Sequence, residues 1–184
     1  MNKLTVIIGL CLVVLVVAAA VLLLPPRVNA PTQQDQEPTS FIECAAMGYP
    51  VAESYPRQCN SPSGGNFVED IGNALDKIDL IQVMSPQPSD TISTPLIVIG
   101  EARGNWYFEA SFPVSVVDAA GQTIGQGYAQ AQGEWMTTDF VSFQSIPIEF
   151  TAQPSGSMGK VILHKDNPSG LPENDDQLEI PIVF

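Results

Sequence analysis

Between Leu96 and Asp118 the chain reads LIVIGEARGNWYFEASFPVSVVD. From Trp106 onward, Trp106, Phe108, Ala110, Phe112, Val114 and Val116 fall on one face of an extended backbone. Tyr107, Glu109, Ser111, Pro113 and Ser115 fall on the other. This period of two predicts a strand with one buried face. The preceding run Leu96–Ile99 is apolar throughout and stops at Gly100, as a buried strand entering a turn does. Pro113 has no N–H to give to a ladder, so the pattern predicts an edge position or a break near Phe112.

The same reading extends along the C-terminal part of the chain. Ile78–Met84 is an apolar run ended by Ser85-Pro86-Gln87-Pro88. Gly104-Asn105 is a turn dipeptide after Leu96–Arg103, and Ala119-Ala120-Gly121 closes the next hairpin. Thr123–Ala131 is a strand of small residues in which Gly125 and Gly127 point to a bulge. Asp139–Phe150 places Ile146, Ile148 and Phe150 on one face. Met158–Lys165 and Gln177–Phe184 form a final pair, with Leu178, Ile180, Ile182 and Phe184 alternating with Glu179, Pro181 and Val183. About seven strands at this turn spacing, with no helical period, predict an all-β protein: an immunoglobulin-like antiparallel β-sandwich.

Upstream the pattern changes. Residues 4–24, LTVIIGLCLVVLVVAAAVLLL, carry no charge. As a helix they would extend about 30 Å, the thickness of a bilayer core. Residues 1–24 are therefore expected to be an N-terminal transmembrane signal-anchor. A cleaved signal peptide is the alternative, with Val28-Asn29-Ala30 as the best small-residue site. Its apolar region is longer than the usual ~7–15 residues, and Pro31 follows the site. Cys11 follows Leu10, where a lipoprotein cleavage site wants a small residue. Residues 25–40, PPRVNAPTQQDQEPTS, have no apolar period and predict an extended, solvated stalk.

Residues 41–77 have punctuation of their own and are read as a small cysteine-stapled segment with a connector. Cys44 and Cys59 are the only cysteines outside the apolar run. An isolated pair in an exported segment predicts a disulfide. A metal site would need two further ligands and the segment has no His; the spacing is not C-x-x-C either.

Charge narrows the partners. The chain has 20 Asp+Glu against 7 Lys+Arg, a net −13. Beyond residue 30 only Arg57, Lys77, Arg103, Lys160 and Lys165 are basic while all 20 acids remain, a net −15. Such a surface repels nucleic acid and anionic lipid, so no nucleic-acid partner is expected. The expected partners are the membrane, through the N-terminal helix, and another envelope protein.

The candidate sites are few. The loop 166–176, DNPSGLPENDD, gathers Asp166, Glu173, Asp175 and Asp176, oxygen ligands of the kind calcium takes. It lacks the D-x-[DN]-x-[DN]-G spacing, and its Asn-Pro and Ser-Gly steps also read as plain turns. No metal or cofactor is assigned. Arg103, beside Glu101 and Glu109, is expected to pair with those carboxylates, and anion binding is the sharper alternative. Trp106 shares a face with Phe108 and Phe112 and belongs to the core; Trp135 follows a turn and is a candidate contact residue. His164, the one histidine, is expected on a solvated strand face. With no G-x-S-x-G and no Gly-rich phosphate loop opening a helix, no enzyme is expected.

Three blocks carry a family resemblance: Ser93-Thr94-Pro95-Leu96 leading into Gly100-Glu101-Ala102-Arg103-Gly104 and Trp106-Tyr107-Phe108-Glu109-Ala110; Gly133-Glu134-Trp135-Met136-Thr137 with Asp139-Phe140; and Lys165-Asp166-Asn167-Pro168-Ser169-Gly170-Leu171-Pro172-Glu173-Asn174-Asp175. Over about residues 78–184 they resemble the immunoglobulin-like domain of bacterial spore germination. The pattern C-x3-G-Y-P-V-x-E-S-Y-P-R-Q-C in the cysteine segment resembles a short stapled unit of exported bacterial proteins. The resemblance implies an extracytoplasmic immunoglobulin-like fold with no enzymatic activity. The expectation is a single-pass membrane protein whose C-terminal domain lies outside the cell membrane. It would serve protein–protein interaction or assembly at the cell envelope, with a cell-wall or carbohydrate-binding module as the alternative.

Overall fold

A computed structural model describes residues 37–184, which form one compact unit. The expected transmembrane helix (1–24) and the stalk up to residue 36 lie outside the described residues. Among the described residues no helix is long and apolar enough to cross a membrane.

Seven strands make the main body: β4 (Ile81–Ser85), β5 (Ile99–Arg103), β6 (Ser111–Asp118), β7 (Thr123–Ala131), β8 (Phe140–Ser145), β9 (Met158–His164) and β10 (Gln177–Val183). They pair in the order β10-β9-β6-β7-β8-β5-β4, every pair antiparallel. β7 is the corner. Most of its length pairs with β6, but Ala129–Ala131 pair with β8, so one continuous ladder folds into two layers. Phe112 of one layer meets Phe143 of the other edge-on, centroids 5.0 Å apart, in a single core that also buries Val98, Val114, Val161, Leu163 and Ile182. The Tyr107 hydroxyl donates to the Val141 carbonyl at 2.7 Å, and burial pushes its pKa well above the ordinary tyrosine value. The expected all-β immunoglobulin-like sandwich is the architecture observed.

Alternation misplaces the start of the central strand. Gly104–Trp106 is a 3₁₀ turn, not strand. Trp106 is in the core at 1% exposure, as expected, but Phe108 is 42% exposed. Glu109 and Ala110 adopt φ of +49° and +61°, a tight turn that breaks the period before β6 begins. Gly104 is needed where it stands: a Cβ there would lie 2.0 Å from the Thr137 carbonyl oxygen.

Pro113 is not at an edge, since β6 lies between β7 and β9. The Ala131 N–H donates to the Ala110 carbonyl, and ladder bonds alternate along a strand. The nitrogen of Pro113 therefore points away from β7, to the side where pairing with β9 begins only at Val114. The missing N–H falls where the β6–β9 pairing stops, while β6 itself runs unbroken through Phe112 from Ser111; the interruption of the long strand lies upstream, at the turn of Glu109 and Ala110. The bulge in β7 is present too: Val116 faces Gly125 and Val117 faces Thr123, leaving Ile124 extra.

The last strand also departs from the simple pattern. Leu178, Ile180, Ile182 and Phe184 are buried as expected, but so are Pro181 and Val183. Residues 89–92 run parallel along the edge of β10 beside them: Ile92 N–H donates to Val183 O, and Ser89 N–H to Pro181 O, both at 2.9 Å.

The cysteine segment is more than a staple. A short helix α1 (Phe41–Ala46), capped by the Ser40 hydroxyl, packs on a three-stranded sheet β1 (Val51–Ala52), β2 (Gln58–Asn60) and β3 (Asn66–Val68). The Cys44–Cys59 disulfide joins helix to sheet and is buried with Phe41, against which Ile42, Tyr49 and Phe67 pack. A single turn, α2 (Ala74–Lys77), leads into β4.

Candidate functional site

The cysteine segment is fastened to the sandwich by polar contacts placed at the chain's turns. The Asn73 side chain donates to Gln177 O at 2.9 Å and accepts from the Glu179 N–H at 2.8 Å, filling two backbone positions on the outer edge of β10. Gly72, at φ +62°, is what lets the chain come this close: a Cβ there would lie 2.1 Å from Glu179 O. Arg57 binds the buried Glu69 carboxylate with its guanidinium and also donates to Pro88 O at 3.2 Å. Lys77 pairs with Asp176 at 2.6 Å. Only Glu69 in these pairs is fully buried; Arg57, Lys77 and Asp176 keep part of their side chains in water.

This fastening leaves an apolar trough open between the two parts. One hollow, of about 480 Å³, is walled by Phe41, Ile42, Phe67, Val68, Met158 and Pro181. A second, of about 560 Å³, shares Asp70, Met158 and Pro181 with it and continues past Val117, Asp118 and Lys160. Val68 is 54% exposed and Met158 40%. Lys160 is paired with Glu179 at 2.6 Å, which holds that carboxylate below its usual range, while among the described residues no cation pairs with Asp70 or Asp118.

β3 borders this trough with an open edge. Glu69 N–H donates to Arg57 O and Ser61 N–H to Gly65 O, which places Phe67 opposite Cys59 as the bonded pair between them. By the alternation of an antiparallel ladder, the N–H and C=O of Asn66 and Val68 point outward. Among the described residues no group bonds to them.

The sequence-derived candidates are scattered. In the acidic loop, Asp175 accepts from the Asn167 amide at 2.7 Å and Asp176 from Lys77, while Asp166 enters through its backbone N–H, bonded to Trp106 O. Glu173 is exposed in a 3₁₀ turn. Asn167 is the organiser, also donating to Leu171 O and accepting from Ser169. Among the described residues no three His, Cys, Asp or Glu side chains are grouped to hold a metal. Arg103 does not pair with Glu101 or Glu109. Its guanidinium donates to the carbonyls of Asp79 and Thr138 and stacks on Phe140 at 4.5 Å, because the β5–β8 register sets Arg103 directly opposite Phe140. Trp135 is half-buried and packs on the core.

His164 is not on a solvated face. Its Nε2 lies 3.2 Å from the Ser115 hydroxyl, and burial holds its pKa below the ordinary value against the opposing pull of Asp175 and Glu179. Ser115 is only 7% exposed, and no carboxylate hydrogen-bonds to the imidazole. Neither Val68 nor Met158 stands out in the sequence. Their signal was an apolar residue on the polar phase of a strand, legible only once each strand's neighbours are known.

No curated protein and no solved structure matches the chain. A family model does: residues 80–170 match the immunoglobulin-like domain of bacterial spore germination. The match covers the first two resemblance blocks and the start of the third, and runs from the last residue before β4 into the loop ahead of β10. The chain thus carries, over residues 80–170, an immunoglobulin-like domain of the bacterial spore-germination family.

Proposed function

We propose that the chain is a non-enzymatic, membrane-anchored, extracytoplasmic module that mediates protein–protein interaction or assembly at the cell envelope. The trough between the cysteine segment and the sandwich carries this reading. It is an apolar, solvent-facing concavity on a protein that is otherwise strongly acidic, and such surfaces belong to contacts. The Cys44–Cys59 disulfide supports an oxidising, extracytoplasmic setting, and the uncharged run 4–24 supports a membrane anchor. A photo-crosslinking residue at Met158 in the membrane-borne chain should give a discrete adduct with an envelope protein, and one at the distant Met136 should not. Absence of any adduct from either position sinks the reading.

One observation favours cell-wall or carbohydrate binding as a second reading. Exposed Tyr55 stands between two hollows of about 210 and 370 Å³, with Glu53, Arg57, Gln87 and Asp90 around it. An aromatic plane ringed by hydrogen-bonding groups suits a sugar. Co-sedimentation of the full chain with purified cell wall, lost on Tyr55→Ala, would favour it over the first.

A further inference from the structure

We propose that β3 and the trough beside it form a docking site for an extended, cationic peptide segment of a partner protein, which adds to β3 as a fourth strand. This rests on the interaction-module reading above and names its site and its ligand chemistry.

The backbone argument comes first. β3 ends its sheet with the N–H and C=O groups of Asn66 and Val68 directed outward and, among the described residues, unbonded. Proteins usually blunt such an edge with a proline, a lysine or a cover. β10, the other edge close to this site, is largely blunted: Asn73 takes Gln177 O and Glu179 N–H, Pro181 has no N–H, and residues 89–92 take Pro181 O and both groups of Val183. β3 has none of these devices. An added strand would make main-chain bonds there while its alternate side chains reach the neighbouring hollow.

The hollow selects for apolar anchors. Alongside polar lining residues, its apolar walls are Phe41, Ile42, Phe67, Met158 and Pro181, with space of about 480 Å³, enough for more than one branched aliphatic side chain.

The charge selects for a cation. Among the described residues five cations face 19 carboxylates, and only three of those carboxylates are in ion pairs. Arg103 and Lys165 are turned to backbone carbonyls. Among the described residues no free cation is left to neutralise Asp70, which borders both hollows, or Asp118 at the far end. A second copy of this chain would bring the same negative charge to the trough and be repelled. A segment alternating Lys or Arg with Val, Ile or Leu complements edge, hollow and charge together.

The experiment uses the full chain in a non-ionic detergent and the hexapeptide acetyl-KVKVKV-amide, with acetyl-EVEVEV-amide as its charge-reversed partner. The lysine peptide should bind, weaken as salt rises, and slow amide exchange over residues 66–68; the glutamate peptide should not. Val68→Pro removes an outward N–H that β2 does not use, and should weaken binding about tenfold, the scale of one lost hydrogen bond. Met158→Lys, at an exposed side chain, should weaken it similarly by placing a cation in the hollow, and decides the matter should the proline variant misfold. Equal binding of both peptides, or indifference to both substitutions, overturns the proposal. So does a dimer of the chain that Val68→Pro dissolves, or displacement of the peptide by soluble cell-wall fragments. An adduct at Met158 that survives Val68→Pro would leave the interaction module standing and remove only strand addition; loss of any adduct in the unsubstituted chain would remove both.

Discussion

Asn73 and Glu179 are 106 residues apart in sequence and joined at 2.8 Å, side-chain carbonyl to backbone N–H. With its amide nitrogen on Gln177 O, Asn73 does for β10 what a neighbouring strand would do. One side chain thereby closes a sheet edge and sets where the cysteine segment sits on the sandwich.

Asn73→Ala should cost about 2 kcal/mol, from two hydrogen bonds worth about 1 each. Amide exchange at Glu179 should accelerate while the core strands stay protected. Gly72→Ala should cost more than Asn73→Ala, because a Cβ at φ +62° also strikes Glu179 O. Equal or smaller loss in denaturant melts would show that the connector is not held as described.

Removing the disulfide by Cys44→Ser with Cys59→Ser should destabilise the α1–β3 unit by about 3 kcal/mol in the loop-entropy account. The sandwich has no share in the small core of Phe41, Cys44 and Cys59, so its strands should remain folded. Exchange protection lost over 41–69 but kept over β5, β6 and β9 is the expected outcome. Loss over the whole chain would mean that the two parts fold as one.

Phe143→Ala should cost about 3–5 kcal/mol, the range for emptying a buried aromatic site. Gly100→Ala strikes the same contact from the other side, since a Cβ there would lie 2.6 Å from the Phe143 ring and 2.2 Å from Gln82 O. Both should lower the melting temperature, and together they should be non-additive because they disturb one neighbourhood.

His164 makes stability depend on pH. Its folded pKa lies below the unfolded value of about 6.5, so the unfolded chain binds more protons in the interval between them. Its contribution is complete above that unfolded value and is lost as pH falls through it toward the lowered folded pKa. Glu179, also lowered, contributes above the ordinary carboxylate value of about 4.3 and is lost as pH falls below it. Melts of His164→Gln should be flat between about pH 7 and 5 relative to the unsubstituted chain; an unchanged slope would assign it elsewhere.

Calcium at 5–10 mM, in the range of weak extracellular sites, should raise the melting temperature no more than sodium chloride of matched ionic strength. Asp176 is already paired with Lys77 and Asp175 with Asn167. A calcium-specific rise of several degrees, abolished by Asp175→Asn with Asp176→Asn, would make the acidic loop a metal site instead.

Much of this was legible in the residues themselves. Strand identity in β6 and β10 follows from side chains that alternate between water and core, a local property of each strand; the apolar run Leu96–Ile99 instead misplaces its strand, since Gly100, expected to begin a turn, lies inside β5. The disulfide follows from there being two cysteines to pair outside the apolar run, and the bulge from glycines in a strand of small residues. What was not legible depends on which residues meet at long range. Phe108 continues the apolar phase of β6 by sequence, yet positive φ at Glu109 and Ala110 turns it to solvent. Pro181 and Val183 sit on the polar phase of β10, yet both are buried where residues 89–92 pair along its edge. Arg103 has carboxylates two and six positions away in sequence, but its partners are the carbonyls of Asp79 and Thr138. The trough has no residue pattern at all, because its walls come from α1, β3, β9 and β10. Periodicity reports how one strand divides water from core; only the packed chain decides which strand, loop or side chain stands on the far side of that strand.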